Sequence, residues 1–298
     1  MKRATRDQLC TSLSKDNPPA LRVQPGEIFV METNDRFATN EGPHSSPEAL
    51  RLLQTRTGPV YVEGAKPGDT LKVEVLEVIP VTEAYIAATP GRGPLGESIP
   101  QFRKTKVDIT SKGVIFNDRV ILPLRPMISN MAVAPAEGTL PSTGKGAFGG
   151  GMGNTHITGG ATVYLPVFHE GAFLTIGDCH AAMGDGEAGA SAVECGVDAT
   201  LRVAIERHFQ VTRPVVLTAA QVMTWGEGQT MEAATKTAIK AMADLLVDRL
   251  GIDHTDAAML IASAADVHTC LAGNPPYAMK VLMPKSVLSL WVSAGEPF

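Results

Sequence analysis

The stretch GDCHAAMGDGE, Gly177 to Glu187, sets two aspartates, a histidine and a glutamate among small residues. On an extended strand, side chains two apart share a face, so Asp178 and His180 project together while Cys179 points away. A carboxylate beside an imidazole can ligate a divalent metal, or the two can orient one another as an acid and a base. Glu187 follows the turn Gly184-Asp185-Gly186, which returns its carboxylate toward the same face. His156, in GNTHITGG, precedes the next strand and is the second imidazole within reach. The competing reading is a hydrogen-bonded polar turn.

These residues must be held by strands and turns. The 298-residue chain carries 29 glycines and 21 prolines, 44% hydrophobic and 19% charged residues. That composition is globular and turn-rich, which fits short strands better than a helical bundle. LKVEVLEVIP (71–80) alternates Leu71, Val73 and Val75 against Lys72 and Glu74, so it reads as a strand entered from the turn Lys66-Pro67-Gly68-Asp69. Residues 114–122 read as a hairpin around Asn117-Asp118. The glycine-rich run 142–160 leads into ATVYLPVFHEGAFLTIGDCH, which predicts a hairpin with strands near 161–168 and 172–180. VDATLRVAIER and RPVVLTAAQVMTW add further extended runs.

SSPEALRLLQTR (45–56) has the cap and proline of a short helix. The strongest helix is 231–250, with Met231, Ala234, Ala238, Met242, Leu245 and Leu246 at helical spacing, Thr230 as cap and Gly251 as stop. A second helix follows in TDAAMLIASAA, and the pair is expected to cover one face of a sheet. The fold class is α+β with β dominant: a β-sandwich-like core with a smaller α/β portion carrying the C-terminal helices. One catalytic domain over 1–298 is expected, with a C-terminal α/β subdomain at about 190–298 as the alternative division.

Several chemistries are excluded by the letters. A net charge of −5 with mixed signs argues against nucleic acid as a partner. The N-terminal residues lack the apolar core of a signal peptide, and no apolar run is long enough to cross a bilayer, so a cytoplasmic protein without a membrane partner is expected. Cys10, Cys179, Cys195 and Cys270 lack metal-knuckle or redox-pair spacing. The glycine-rich run fits neither GxGxxG nor the phosphate loop, Ser191 lacks the closing glycine of GxSxG, and HExxH is absent. Cys179 and His180 face opposite ways, which disfavours a cysteine nucleophile. Asp35 and Glu63 read as structural acids. A metal-assisted or acid–base hydrolytic site on strand ends survives.

TGPVYVEGAKPGDTLKVEVLEV (57–78), GGGMGN before YLPV (164–167), GDCHAAMGDGE and MPKS (283–286) resemble, in this order, the acetamidase/formamidase family over nearly the whole chain. The resemblance implies hydrolysis of short linear amides to ammonia and a carboxylate, a β-rich fold, a divalent metal and a homo-oligomer, dimer or larger. Zinc is the first candidate and calcium the second. It implies Asp178 and His180 as metal or water ligands, with Glu187 in the same pocket. Two departures stand out: His156 replaces the carboxylate of a GGNxD pattern, and Gln54 or Arg56 stands where a histidine commonly precedes TGP.

The combined expectation is a metal held by Asp178, His180 and His156, with Glu187 and Asp178 as catalytic groups. Gly150, Gly151 and Asn154 are the expected substrate-binding residues, with N–H groups of the 149–153 loop facing the oxyanion. The alternatives are a related hydrolase of another small substrate, and a non-catalytic ligand-binding β-sandwich with a structural calcium in GDGE.

Overall fold

The structure is a computed structural model and describes residues 1–35, 54–81, 83–189 and 191–288. The helix expected at 45–56 falls almost wholly outside the described residues. Two large sheets dominate. The nine-stranded one runs, in spatial order, Lys2–Ala4, Ile28–Glu32, Val197–Glu206, Thr70–Pro80, Thr162–Pro166, Val215–Leu217, Gln221–Gly228, Tyr277–Pro284 and Asp266–Leu271. The twelve-stranded one has at its centre the strands Glu83–Ala88, Val193–Glu194, Leu174–Ala182, Met127–Ala132 and Gly149–Gly151, with Arg56–Val62 also pairing Leu174–Ala182. The chain is therefore β-dominant, as its turn-rich composition implies.

Local patterns explain the elements. Leu71, Val73 and Val75 are buried between the layers, while Lys72 and Glu74 stay partly exposed, so period-two alternation sets the face of this strand. The expected turn 117–118 joins Gly113–Asn117 to Val120–Leu122 in an antiparallel pair. Helix α1, Met231–Leu250, begins where Thr230 Oγ1 accepts from the Ala233 N–H at 3.1 Å, and ends at Gly251 with φ 64°. It buries Ala234, Ala238, Met242, Leu245 and Leu246 against the strands Gln221–Gly228 and Tyr277–Pro284. Met231 stays 41% exposed. Helix α2, His254–Ala264, starts one residue earlier than the sequence implies, because Asp253 caps the N–H groups of Thr255 and Asp256. No helix among the described residues is long and apolar enough to cross a membrane.

One expectation is overturned. The runs near 161–168 and 172–180 both form strands, but they are not a hairpin. Thr162–Pro166 pairs with Thr70–Pro80 and Val215–Leu217 in the nine-stranded sheet. Leu174–Ala182 belongs to the other sheet. Between them Ala172 and Phe173 take left-handed φ values of 57° and 60°, which turns the chain from one layer into the other. Both strands are buried nearly throughout, so each needs neighbours on both edges rather than one hairpin partner.

Candidate functional site

The strand Leu174–Ala182 carries the site. His180 is fully buried, and its register partners are Met127 on one side and Glu194 on the other. Directly opposed residues of an antiparallel pair present side chains on one face. The imidazole Nδ1 therefore meets Met127 Sδ at 3.3 Å, and Nε2 lies 3.1 Å from Glu194 Oε2. Glu187 Oε1 stands 3.8 Å and Asp178 Oδ1 4.0 Å from the same Nε2. One ring nitrogen thus faces three carboxylates.

Asp178 does not reach this cluster by plain alternation. Its φ is +54°, and that of Glu187 is +38°, so two of the four left-handed non-glycine residues among the described ones lie in the site. Side chains in this region cost energy and concentrate at functional sites. Glu187 arrives as the expected turn requires: its N–H donates to Gly184 O at 3.1 Å. Arg56, 3% exposed, brings its Nη2 to 3.8 Å from Asp178 Oδ2. The glycine of the GDCH motif makes that approach feasible, since a Cβ on Gly177 would stand 2.5 Å from Arg56 Cδ.

Electrostatics fit the geometry. Burial pushes the His180 imidazole down, and Glu194, then Glu187 and Asp178, more than reverse this, up to about 9. A buried nitrogen facing three carboxylates must carry a proton or hold a cation. Asp178, His180 and Glu194 can each offer one ligand atom within 4.8 Å of the others. Nε2 finds no well-aligned hydrogen-bond partner among the described residues, so its lone pair is available to a metal when Nδ1 carries the proton. Ligands on a tetrahedral zinc at about 2.0–2.1 Å stand roughly 3.3 Å apart; Glu194 Oε2 already lies 3.1 Å from Nε2, and Asp178 Oδ1, at 4.0 Å, would have to move in by about 0.7 Å. The residues present therefore fit a divalent metal, and one nitrogen with carboxylate oxygens suits a first-row ion better than calcium, which takes six to eight oxygens.

The site stands between two spaces. On the Asp178 side is a water-sized polar cavity of about 10 Å³, lined by Thr33, Asn34, Thr55, Arg56 and Thr57. On the Glu187 side a cavity of about 590 Å³ opens.

His156 is not brought to this cluster. With no hairpin to carry it there, it lies in a neighbouring network, its Nδ1 3.2 Å from Lys280 Nζ. Burial, then Lys280, push this imidazole down. Lys280 is fully buried and donates to Asp185 Oδ1 at 2.7 Å, Thr155 Oγ1 at 3.2 Å and Asn154 Oδ1 at 3.4 Å. Burial works against the Asp185 charge, but Lys280 and Thr155 outweigh it and hold the carboxyl below its usual range. Gly186 joins this network to the sheet: its N–H donates to Cys270 O, and its carbonyl accepts from the Ala272 N–H. The turn holding Glu187 is thereby clamped to the strand Asp266–Leu271.

Gly150, Gly151 and Asn154 are also placed away from the cluster. Gly150 and Gly151 pair with Met131 and Asn130 in the strand ladder. The N–H of Gly151 donates to Gly144 O, and those of Met152 and Gly153 to Ser129 O, so these donors are engaged within the protein. Asn154 is buried beneath Lys280 and His156.

A model of the Acetamidase/Formamidase family matches residues 3–144 and 127–292. The chain belongs to this family. It is 33% identical to a recombinant predicted acetamidase/formamidase from Thermoanaerobacter tengcongensis, whose crystal structure superposes with a TM-score of 0.92 over 97% of each chain. An acetamidase structure from Bacillus halodurans is 31% identical, with a TM-score of 0.91 over 97% of this chain and 99% of that one. The acetamidase of Mycolicibacterium smegmatis is 26% identical over 240 residues, 58% of this chain and 59% of that relative. The chain thus spans 57% to 59% of the length of the curated relatives it matches.

Within this family member, sequence reasoning missed Glu194. The signal was an acid inside the apolar run Ala192-Val193-Glu194-Cys195, since a buried carboxylate needs a partner. Lys280, a cation within the buried strand Tyr277–Pro284, was missed for the same reason.

Proposed function

We propose that this chain hydrolyses short linear amides, such as formamide and acetamide, to ammonia and a carboxylate, with a divalent metal, zinc, held by Asp178, His180 and Glu194. The observation that carries the reading is the buried Nε2 of His180 facing carboxylates in a member of the acetamidase/formamidase family. When bound, the metal supplies a lowered pKa for water and polarisation of the amide carbonyl. His180, Glu194 and Asp178 would hold it, with Arg56 orienting the Asp178 carboxylate.

Glu187 borders both the cluster and the larger cavity. It accepts a proton from the attacking water and returns it to the departing nitrogen. A C–O bond forms and the C–N bond breaks; one proton of the water leaves on the ammonia by way of Glu187, and the other is given up when the carboxylic acid ionises, leaving carboxylate and ammonium. The calcium reading has less support, because Asp185 of the GDGE turn is directed to Lys280 and to His268 Nδ1, at 3.4 Å, rather than to Glu187. The family resemblance supports a homo-oligomer, and free, buried cysteines support the cytoplasm as compartment.

Elemental analysis of the purified protein together with ammonia release over a panel of short amides tests the reading. Zinc at one equivalent per chain with ammonia from acetamide or formamide is the expected result. Full hydrolysis and full metal content in both His180→Ala and Asp178→Ala would overturn it.

A further inference from the structure

The cavity beside Glu187 is far larger than formamide or acetamide requires. A water occupies about 30 Å³, so an amide of four heavy atoms fills on the order of 100 Å³. The cavity holds about 590 Å³, within the usual range for small-molecule sites. Its apolar wall is made by Ile86, Phe116, Val120, Leu122, Met183 and Val193.

This wall is continuous with the candidate centre along the chain. Met183 follows the strand that carries His180, and Val193 immediately precedes Glu194. Phe116, Val120 and Leu122 come from the hairpin of Gly113–Asn117 and Val120–Leu122. Phe116 and Val120 are 43% and 41% exposed, so large apolar side chains face the open space rather than the core. Two polar groups of the lining have other engagements: Asp185 accepts from Lys280, and Ser191 Oγ contacts Glu194 Oε1 at 3.3 Å. Arg125 is the one cation in the lining among the described residues.

We propose that this cavity is an acyl-group subsite, and that the chain takes primary amides bearing an aryl or branched aliphatic acyl group in preference to acetamide. The inference rests on the amide-hydrolysis reading. The amide end sits at Glu187 and the apolar substituent fills the space walled by Phe116, Val120 and Met183. One extra methylene in an apolar pocket changes kcat/KM by about 10- to 200-fold.

The test is kcat/KM for ammonia release by the metal-loaded protein with acetamide, isovaleramide, phenylacetamide and 4-carboxyphenylacetamide, with calorimetric binding of phenylacetamide measured alongside. Phenylacetamide is expected to exceed acetamide by about tenfold or more. Val120→Trp, which fills the space from a half-exposed position, is expected to lower that ratio about tenfold, and Phe116→Ala, which removes a wall, to lower it as well. A ratio at or below one, a ratio unmoved in both variants, or a preference for the carboxylated amide, which would make Arg125 the determinant, overturns the subsite. If no amide releases ammonia but phenylacetamide binds and Val120→Trp weakens it, the subsite stands and the hydrolytic reading falls. If phenylacetamide neither binds nor reacts while acetamide is hydrolysed, the subsite alone falls.

Discussion

Glu194 Oε2 lies 3.1 Å from His180 Nε2, across the ladder that pairs Val193–Glu194 with Leu174–Ala182. Both side chains are within 1% of complete burial. Water cannot replace either as a partner of the other, so each depends on the shared charge. The relationship links sequence positions fourteen apart through sheet register alone.

Glu194→Gln keeps the shape and removes the charge. Metal content is expected to fall below one tenth of an equivalent, and ammonia release by at least about a hundredfold, beyond the 10- to 100-fold lost when a group that only orients a ligand is changed. Elemental analysis and the amide assay check both. In chelated protein the same change removes the first of the groups that raise His180, so its imidazole should titrate below about 9, which proton NMR reads. Unchanged metal binding would remove Glu194 from the ligand set.

The clamp on the Glu187 turn can be broken without touching a proposed ligand. Asp185→Ala leaves the fully buried Lys280 ammonium without its carboxylate, a change that costs about 3–5 kcal/mol when a buried pair loses one partner. The exposed third of Asp185 places the effect toward the lower end. Lys280→Met combined with Asp185→Leu restores packing without charge and is expected to recover most of the loss. Denaturant unfolding measures both. A double variant less stable than Asp185→Ala would sink the argument.

What the sequence made legible was local. His180 and Glu187 are legible because strand alternation and a glycine turn define where each points, whereas Asp178 enters the cluster through a φ of +54° that alternation does not foresee. Helix α1 was readable because cap, period and stop agree over twenty residues. Glu194, Arg56 and Lys280 arrive through strand pairings whose register no local pattern fixes. His156 joins Asp178 and His180 only if successive strands pair. The left-handed residues Ala172 and Phe173 send them to different sheets instead. Neither alanine nor phenylalanine announces that conformation.

Gly226 is a packing glycine with no part in the chemistry. A Cβ there would stand 2.3 Å from Ala238 N and 2.7 Å from Ala234 O, both backbone atoms of helix α1. Backbone cannot swing aside as a side-chain tip can, so α1 must lift from the strand Gln221–Gly228. Gly226→Ala is expected to cost about 3 kcal/mol, the upper part of the usual overpacking range. That lowers the melting temperature by roughly 6–12 °C, which calorimetry detects. A shift below about 2 °C, under 1 kcal/mol on that scale, would show that the helix yields more easily than this contact implies.

Alkaline stability follows from the thiols. Burial pushes Cys10 up to about 11 and Cys179 and Cys270 to about 12, from an ordinary 9.0, with Cys195 also raised well above it. A raised folded value means the unfolded chain ionises first. The stabilisation is full below pH 9 and is lost as pH rises toward the folded values. Each thiol contributes a slope of at most ~1.4 kcal/mol per pH unit. The melting temperature is expected to drop between pH 9 and 11, and less steeply in Cys270→Ala, where one such group is gone. At pH 8 the native thiols should stay silent to a thiol reagent and react after denaturation. Equal slopes in the two proteins would mean that Cys270 ionises as readily inside the fold as outside it, contrary to its complete burial.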